Sequence, residues 1–380
     1  MTDTPNAGGG PSAAPPEAAA ASATPLVPGE AAPWFRAPAL DGAATYVFDS
    51  AAGRPILLLF FATASRPESA AALKLVEGRR HLFDDTNACF FGVTVDPSDA
   101  SQHRIAQQLP GIRYFLDYDR NVSRLYGADL GEGRYRPHWL LLDRMLRITG
   151  IFPIEAGEAA LAALEAAAKA PPLPDFAPVL VTPGILEPEL CRHLVGLYES
   201  HGGTESGFMR EIDGKTVLVA DPGHKRRRDY LIEDRTLQQQ LALRVRRRLN
   251  PMIKRAFQFE VTRMERYIVA CYDAEAGGHF RPHRDNTTSG TAHRRFAVTI
   301  NLNSDYEGGD LRFPEYGPRT YRAPPGGAVV FSCSTLHEAT PVARGTRYAF
   351  LPFLYDEAAA EIREANNARL GDGVPAYKKG

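Results

Sequence analysis

Gly277-Gly-His-Phe-Arg-Pro-His-Arg-Asp285 and Gly327-Ala-Val-Val-Phe-Ser-Cys-Ser-Thr-Leu-His337 stand in a C-terminal half that reads as short β-strands. In an extended segment, side chains at i and i+2 share a face, so His283 and Asp285 can reach one metal ion while Arg284 points away. The second stretch is rich in β-branched and aromatic residues and delivers His337 at or just past a strand end. Two neutral imidazoles and a carboxylate on one face of an octahedral ion leave the other positions open. That arrangement suits non-haem Fe(II) chemistry with oxygen and a cosubstrate. A closed zinc site needs a fourth ligand and favours thiols, yet none of the four cysteines is paired with another at metal spacing.

Arg347 follows in Gly345-Thr-Arg-Tyr-Ala-Phe-Leu-Pro-Phe-Leu354, an alternating strand in which Arg347, Ala349, Leu351 and Phe353 share a face. An arginine on an otherwise apolar face is costly to bury unless paired, and its planar fork suits a carboxylate. A buried structural ion pair and the carboxylate of a cosubstrate both satisfy that requirement. The offset from His337 favours the cosubstrate.

With these pieces in place, residues 177–356 resemble the 2-oxoglutarate- and Fe(II)-dependent dioxygenases, in particular their prolyl 4-hydroxylase-like branch. Besides the first opening stretch, the matching pieces are Arg266-Tyr-Ile-Val-Ala-Cys-Tyr272, Thr299-Ile-Asn-Leu-Asn303, Glu307-Gly-Gly-Asp-Leu-Arg-Phe-Pro314, Pro325-Gly-Gly-Ala-Val-Val-Phe331 and His337-Glu-Ala-Thr-Pro-Val-Ala-Arg-Gly-Thr-Arg347, in the family's order. The resemblance implies His283, Asp285 and His337 as iron ligands. It implies Arg347 as the partner of the distal carboxylate of 2-oxoglutarate, where the branch often uses lysine. Tyr272 falls where the family often sets a tyrosine hydroxyl against the same carboxylate; a tyrosine that merely packs fits the position equally. Fe(II), 2-oxoglutarate and O2 are the implied cofactors, with ascorbate as a reductant. The implied activity is hydroxylation of a prolyl, amino-acid or small-molecule substrate with release of succinate and CO2.

The implied fold of this half is a double-stranded β-helix, or jelly roll. Short β-rich runs from Thr262 onward, separated by turns such as Asp305-Tyr-Glu-Gly-Gly and Pro324-Pro-Gly-Gly, agree with it independently. Two helical patterns precede them, from about Glu187 to Ser200 and onward from about Arg235, with apolar stripes that would buttress one sheet. The loop from Asn286 to His293, rich in Thr, Ser and Gly, suits either a lid or an ordinary polar surface loop.

The N-terminal half alternates strand and helix: Ile56-Leu-Leu-Leu-Phe-Phe-Ala62, a helix from about Glu68 to Phe83, Cys89-Phe-Phe-Gly-Val-Thr-Val95, Tyr114 to Asp117, His138 to Asp143, Leu146 to Phe152, and a helix from Glu158 to Ala168. This predicts an α/β layered domain over residues 29–170. It resembles the thioredoxin fold of the peroxiredoxin and redoxin family, with Pro137 where that family keeps a cis-proline. The family's thiol chemistry does not carry over. Ser65 and Glu68 occupy the redoxin cysteine positions and Ser69 the peroxidatic one, and a serine hydroxyl supplies no low-pKa nucleophile. Cys89, inside an apolar strand, reads as an inert core residue. The expected role of this domain is docking or substrate presentation.

Residues 1–28 are Ala, Pro, Gly, Ser and Thr with few large apolar groups, which predicts a disordered tail. Residues 357–380 read as a C-terminal tail, and Lys169 to Asp175 as the linker between the domains. No run approaches membrane-spanning length and no secretory signal is visible, so a cytoplasmic protein without a membrane partner is expected. Lys and Arg number 44 against 45 Asp and Glu, so no global field recruits nucleic acid. The local runs Lys225-Arg-Arg-Arg228 and Arg244 to Arg248 read as solvated faces. Two other classes fit parts of the chain: a thiol peroxidase, against which Ser65, Glu68 and Ser69 stand, and a non-catalytic scaffold, against which the intact triad stands.

Overall fold

Ile56–Ala62 is buried along its whole length, and an apolar run with no polar face requires cover on both sides. The computed structural model, which describes residues 25–42, 45–171 and 175–378, supplies that cover. The strand is the centre of a five-stranded sheet. Cys89–Thr94 and then Ile112–Leu116 run parallel to it on one side, and His138–Leu142 and then Ile148–Pro153 extend the sheet on the other through antiparallel pairings. One face packs Leu57, Leu59 and Phe61 against Leu73 and Val76 of the helix Pro67–Gly78 and Leu161 and Leu164 of Gly157–Lys169. The opposite face packs Leu58, Phe60 and Phe91 against Phe35, Phe48 and Tyr126. This is a thioredoxin-like domain. It departs from expectation in the helix expected to reach Phe83, which ends at Gly78, and at Pro137: the only cis peptide bond among the described residues is Leu109-Pro110. With Arg136-Pro137 in the trans form, the Arg136 carbonyl is placed to meet His138 Nδ1 at 2.9 Å.

Besides two two-stranded pairings, the C-terminal half holds two larger sheets with helices on one outer face. The larger sheet includes Ile268–Asp273, Phe296–Asn301, Ala328–Ser332 and Thr346–Phe350. The smaller runs in the order Lys225–Arg226, His279–His283, His337–Ala339, Leu311–Arg312 and Thr320–Tyr321. Strand alternation sorts the side chains of Ile268–Asp273. Val269 and Cys271 meet Leu194 and Tyr198 of the helix Pro188–His201 and Leu237 and Leu241 of Arg235–Arg244. Ile268, Ala270 and Tyr272 face inward, toward Phe280, Ala339 and Ala349. The helical stripe that starts at Arg235 continues through a widened turn, Val245–Leu249, before Asn250–Phe257. Pro251 lacks an N–H and cannot make the regular backbone bond at the junction.

The C-terminal segment is not a loose tail. Asp356 caps the helix Glu357–Ala365 by accepting from Ala359 N at 2.9 Å, and Ala359 and Ala360 are fully buried. Arg363 pairs with Glu265 at 2.6 Å, and Gly371 N donates to Thr216 O at 2.8 Å. These partners lie far back in the sequence, so composition alone does not reveal that the segment is held. The predicted N-terminal tail lies almost wholly outside the described residues, as does the middle of the predicted linker. Among the described residues, no helix is long and apolar enough to cross a membrane.

Candidate metal centre

Neighbouring strands bring the three predicted ligands together. His283 closes the strand His279–His283 and pairs in register with His337, the first residue of its own strand. Asp285 lies just past the strand end, its N–H donating to Cys333 O at 2.9 Å. One ligand atom from each of His283, Asp285 and His337 lies within 4.8 Å of the others. Nε2 of His283 is 3.6 Å from Asp285 Oδ1, and Nε2 of His337 is 3.3 Å from Oδ2. On the far side of each ring, Nδ1 meets a carbonyl, Arg281 O at 2.8 Å and Thr335 O at 3.0 Å. A carbonyl only accepts, so Nδ1 carries the proton and Nε2 presents its lone pair to the centre of the cluster. Burial holds His283 neutral, pulling its pKa down to about 4. The Phe280 ring stacks on His283 with centroids 3.5 Å apart and fixes its plane. Two nitrogens and a carboxylate, with no thiol or fourth donor in the cluster among the described residues, fit Fe(II) with open positions better than structural zinc.

Arg347 lies in the same cavity, about 50 Å³ in volume, as all three ligands. It is 3 % exposed, its Nε has no hydrogen-bond partner, and its one polar contact is a long one to Asn301 Oδ1 at 3.4 Å. Among the described residues no carboxylate pairs with it, so the structural ion pair that the sequence allowed is absent. A buried guanidinium without an anion is a site for an anionic group. Tyr272 stands opposite Arg347 in the sheet register, its ring centroid 5.1 Å from the guanidinium carbon.

Two residues in this region depart from the sequence-based expectation. The run Lys225 to Arg228 is not a solvated face: Lys225 and Arg227 are buried, whereas Arg226 and Arg228 are exposed. Arg227 grips Asp229 with two bonds of 2.7 Å and donates to the Tyr272 hydroxyl at 3.3 Å. Lys225 Nζ donates to Ser206 Oγ at 2.8 Å and Gly207 O at 2.6 Å, and burial pushes its pKa well below the usual lysine range. Period-two alternation is the signal that could have found them. Together Arg227, Arg266 and Arg347 give the cavity an excess of cations over Asp285 and the paired Asp229.

A larger cleft of about 960 Å³ shares His283 and Asp285 with the cavity as lining residues. One wall is the hairpin Phe208–Ile212 and Lys215–Val219; the other includes Tyr46, Val47 and Ser50 of the N-terminal domain. The loop from Asn286 to His293 is tied down rather than free. Ser289 N and Oγ each donate to Glu211 at 2.9 Å, Gly290 N donates to Thr216 Oγ1 at 2.8 Å, and Asn366 donates to Ser289 O at 2.8 Å.

The thiol positions of the N-terminal domain hold serine and glutamate. Ser65 and Glu68 are exposed, and buried Ser69 donates to Phe61 O at 2.8 Å. Burial pushes the Cys89 thiol up, away from the reactive thiolate.

Fold and site thus bring three candidate metal donors together in a two-sheet domain joined to a thioredoxin-like one. Residues 267–355 match the model of the 2OG-Fe(II) oxygenase superfamily, and residues 28–149 match that of the AhpC/TSA family. A PKHD-type hydroxylase of Synechococcus sp. (strain JA-2-3B'a(2-13)) is 33 % identical over 89 residues, 22 % of this chain and 39 % of the relative. The chain therefore spans about two fifths of the length of the curated relatives it matches. Among solved structures, a Pseudomonas putida prolyl-4-hydroxylase aligns at TM-score 0.35 and 18 % identity over 48 % of this chain and 94 % of that one. The Xanthomonas campestris bacterioferritin comigratory protein aligns at 0.30 and 18 % over 36 % and 92 %.

Proposed function

We propose that this chain is an Fe(II)- and 2-oxoglutarate-dependent dioxygenase that hydroxylates a prolyl, amino-acid or small-molecule substrate. The observation that carries the reading is the unpaired, buried Arg347 in the cavity that also holds His283, Asp285 and His337. The surrounding domain is a double-stranded β-helix, its two facing sheets enclosing the site. His283, Asp285 and His337 would hold the metal, and Arg347 would take the distal carboxylate of 2-oxoglutarate. Bound there, iron and 2-oxoglutarate supply the activation of O2, the keto acid leaving as succinate and CO2, with ascorbate as a reductant.

The chain's own residues bind, orient and exclude. The two Nδ1–H···O=C bonds fix the tautomer of each histidine, so both lone pairs are set before the metal arrives. Arg347 meets a carboxylate with a charge-assisted fork in a site shielded from water by Leu351, Phe353 and Tyr272. Arg227, locked on Asp229, holds the Tyr272 hydroxyl beside it. The cleft between the hairpin and the N-terminal domain has room for a peptide segment as well as a small molecule, and it admits substrate on the side of His283 and Asp285. The deciding experiment is an anaerobic titration of the Fe(II) protein with 2-oxoglutarate, followed by the visible metal-to-ligand charge-transfer band. Succinate release is then measured across peptides, amino acids and cell extract. No band in the full-length protein would overturn the reading.

A further inference from the structure

The residues beside the candidate ligands face the opposite way, into the N-terminal domain. Arg284, between His283 and Asp285, has a side chain 3 % exposed, and its Nε lies 2.9 Å from Asp49 Oδ2. It donates to the Asp49 carbonyl at 3.2 Å and forks onto Glu315 at 2.8 and 3.2 Å. A further bond goes to the Ser334 carbonyl, and the guanidinium carbon stands 4.6 Å from the Trp34 ring. Glu315 in turn accepts from the N–H of Leu336 at 3.0 Å. Leu336 immediately precedes His337, is fully buried, and belongs to the same apolar cluster as Phe48 and Ala51 of the N-terminal domain. The fit is close: a Cβ at Gly53 would stand 2.5 Å from Pro314 Cβ.

The same alternation that turns the ligands toward the metal cavity turns their neighbours outward. Arg284 and Glu315 therefore tie the two ligand-bearing segments to each other, and Asp49 and the pocket around Leu336 tie both to the thioredoxin-like domain. A plain domain contact needs no buried cation and two buried carboxylates, because removing charges from water is expensive and apolar contact would hold as well. What such a cluster provides is a fixed register. The segment that carries Asp49 also lines the cleft through Tyr46, Val47 and Ser50.

We propose that the thioredoxin-like domain is a positioning part of the metal centre. Asp49, acting through Arg284 and Glu315, and the seat of Leu336 set the spacing of His283, Asp285 and His337. This rests on the reading of those three residues as metal ligands and goes beyond it by assigning the N-terminal domain a role in metal affinity.

The test is titration of the full-length protein with Co(II) alone, following its visible d–d absorption, beside thermal unfolding of each variant. Asp49→Asn keeps the volume of the side chain and removes its charge, and is expected to weaken Co(II) binding roughly 10-fold or more and to change the band intensities. Asp49→Glu, which restores the charge, recovers part of the affinity. The control is Asp117→Asn. Asp117 accepts from Val122 N and Ser123 N at 2.9 and 2.7 Å inside the same domain, away from the metal-site contacts. It should lower the unfolding temperature and leave the Co(II) titration and spectrum unchanged. If Asp49→Asn loses its cooperative transition, Leu336→Val, which only shortens the second contact, carries the same expectation. Parent-like affinity and spectrum in folded Asp49→Asn, or an equal loss in Asp117→Asn, would overturn the positioning role while leaving the metal site standing. No Co(II) binding by the parent would instead overturn the metal assignment, and the positioning role with it.

Discussion

Tyr272 and Arg347 face each other across adjacent antiparallel strands, with the tyrosine ring 5.1 Å from a guanidinium that has no carboxylate partner among the described residues. The pair forms one wall of the cavity that holds the three candidate ligands. Arg347→Ala is expected to weaken 2-oxoglutarate binding by about 2–5 kcal/mol, roughly 30- to 4000-fold, since a desolvated carboxylate loses a guanidinium of the cavity that has no anion of its own. Arg347→Lys should fall between, keeping the charge and losing the fork. Tyr272→Phe should cost about 1 kcal/mol, one hydrogen bond. The charge-transfer titration reads all three, and equal affinity in Arg347→Ala and the parent would remove Arg347 from the cosubstrate site.

The triad gives a second expectation. His283→Ala and His337→Ala each remove a donor whose partner carbonyl has already fixed its tautomer, and both should abolish Fe(II) binding. Asp285→Ala is the softer change, because the two imidazoles persist. His279→Ala and His293→Ala should retain iron, since His279 turns to Gly277 O and His293 to Glu265. Metal content after anaerobic loading and desalting checks the set, and iron retained at parent level in His337→Ala would mean that the third ligand lies elsewhere.

The range of each interaction decides how much of it is legible in the amino-acid sequence. His283 and Asp285 are readable because i, i+2 spacing is local and fixes a shared face. Ile56–Ala62, Cys89–Thr94 and His138–Leu142 are readable because their largely apolar runs admit few other states. Lys225 and Arg227 are not, because four consecutive cations look like a solvated run, and only the alternation of a strand sorts two of them inward. The fate of Arg284 is half legible: its direction follows from alternation, but its partner Asp49 lies 235 positions away. The helix Glu357–Ala365 carries its own start signal in Asp356, yet its packing depends on Glu265 and Thr216, which no local pattern marks.

The N-terminal domain should turn over no peroxide. Its only cysteine among the described residues is Cys89, fully buried with its thiol pushed up by burial, while the catalytic positions hold Ser65, Glu68 and Ser69. Peroxide consumption with dithiothreitol or a thioredoxin system should equal that of a no-enzyme blank. Thiol-dependent turnover that survives purification and vanishes in Cys89→Ser would show that this fold retains redox chemistry.

Glu265 anchors the last expectation. Its side chain, 10 % exposed, meets His293 at 3.1 Å, Arg294 at 2.8 Å and Arg363 at 2.6 Å, tying the strand Arg263–Glu265 to the loop after the candidate ligands and to the C-terminal helix. Burial alone would raise its pKa. Arg294 first, then His293 and Arg363, reverse that and hold the carboxyl well below the usual range. Because the folded-state pKa lies below the unfolded one, the contribution is complete above about pH 4.5 and is lost as pH falls from there toward the folded value. Glu265→Gln keeps the shape and leaves two guanidinium groups without their anion. At neutral pH it should cost about 2–3 kcal/mol, less than the ~3–5 of a fully enclosed pair because Arg294 and Arg363 keep some contact with water. The gap between parent and variant should then narrow as pH falls from about 5 to about 3, where the carboxyl of the unfolded chain takes up a proton while the folded one stays ionised. Burial also holds the His293 pKa down, so the folded state resists its protonation, and below about pH 6.5 this destabilises parent and variant in the same direction. Thermal unfolding of both proteins across that range isolates Glu265 as the difference between them. A difference that stays constant down to about pH 3 would mean that the variant loses packing rather than charge.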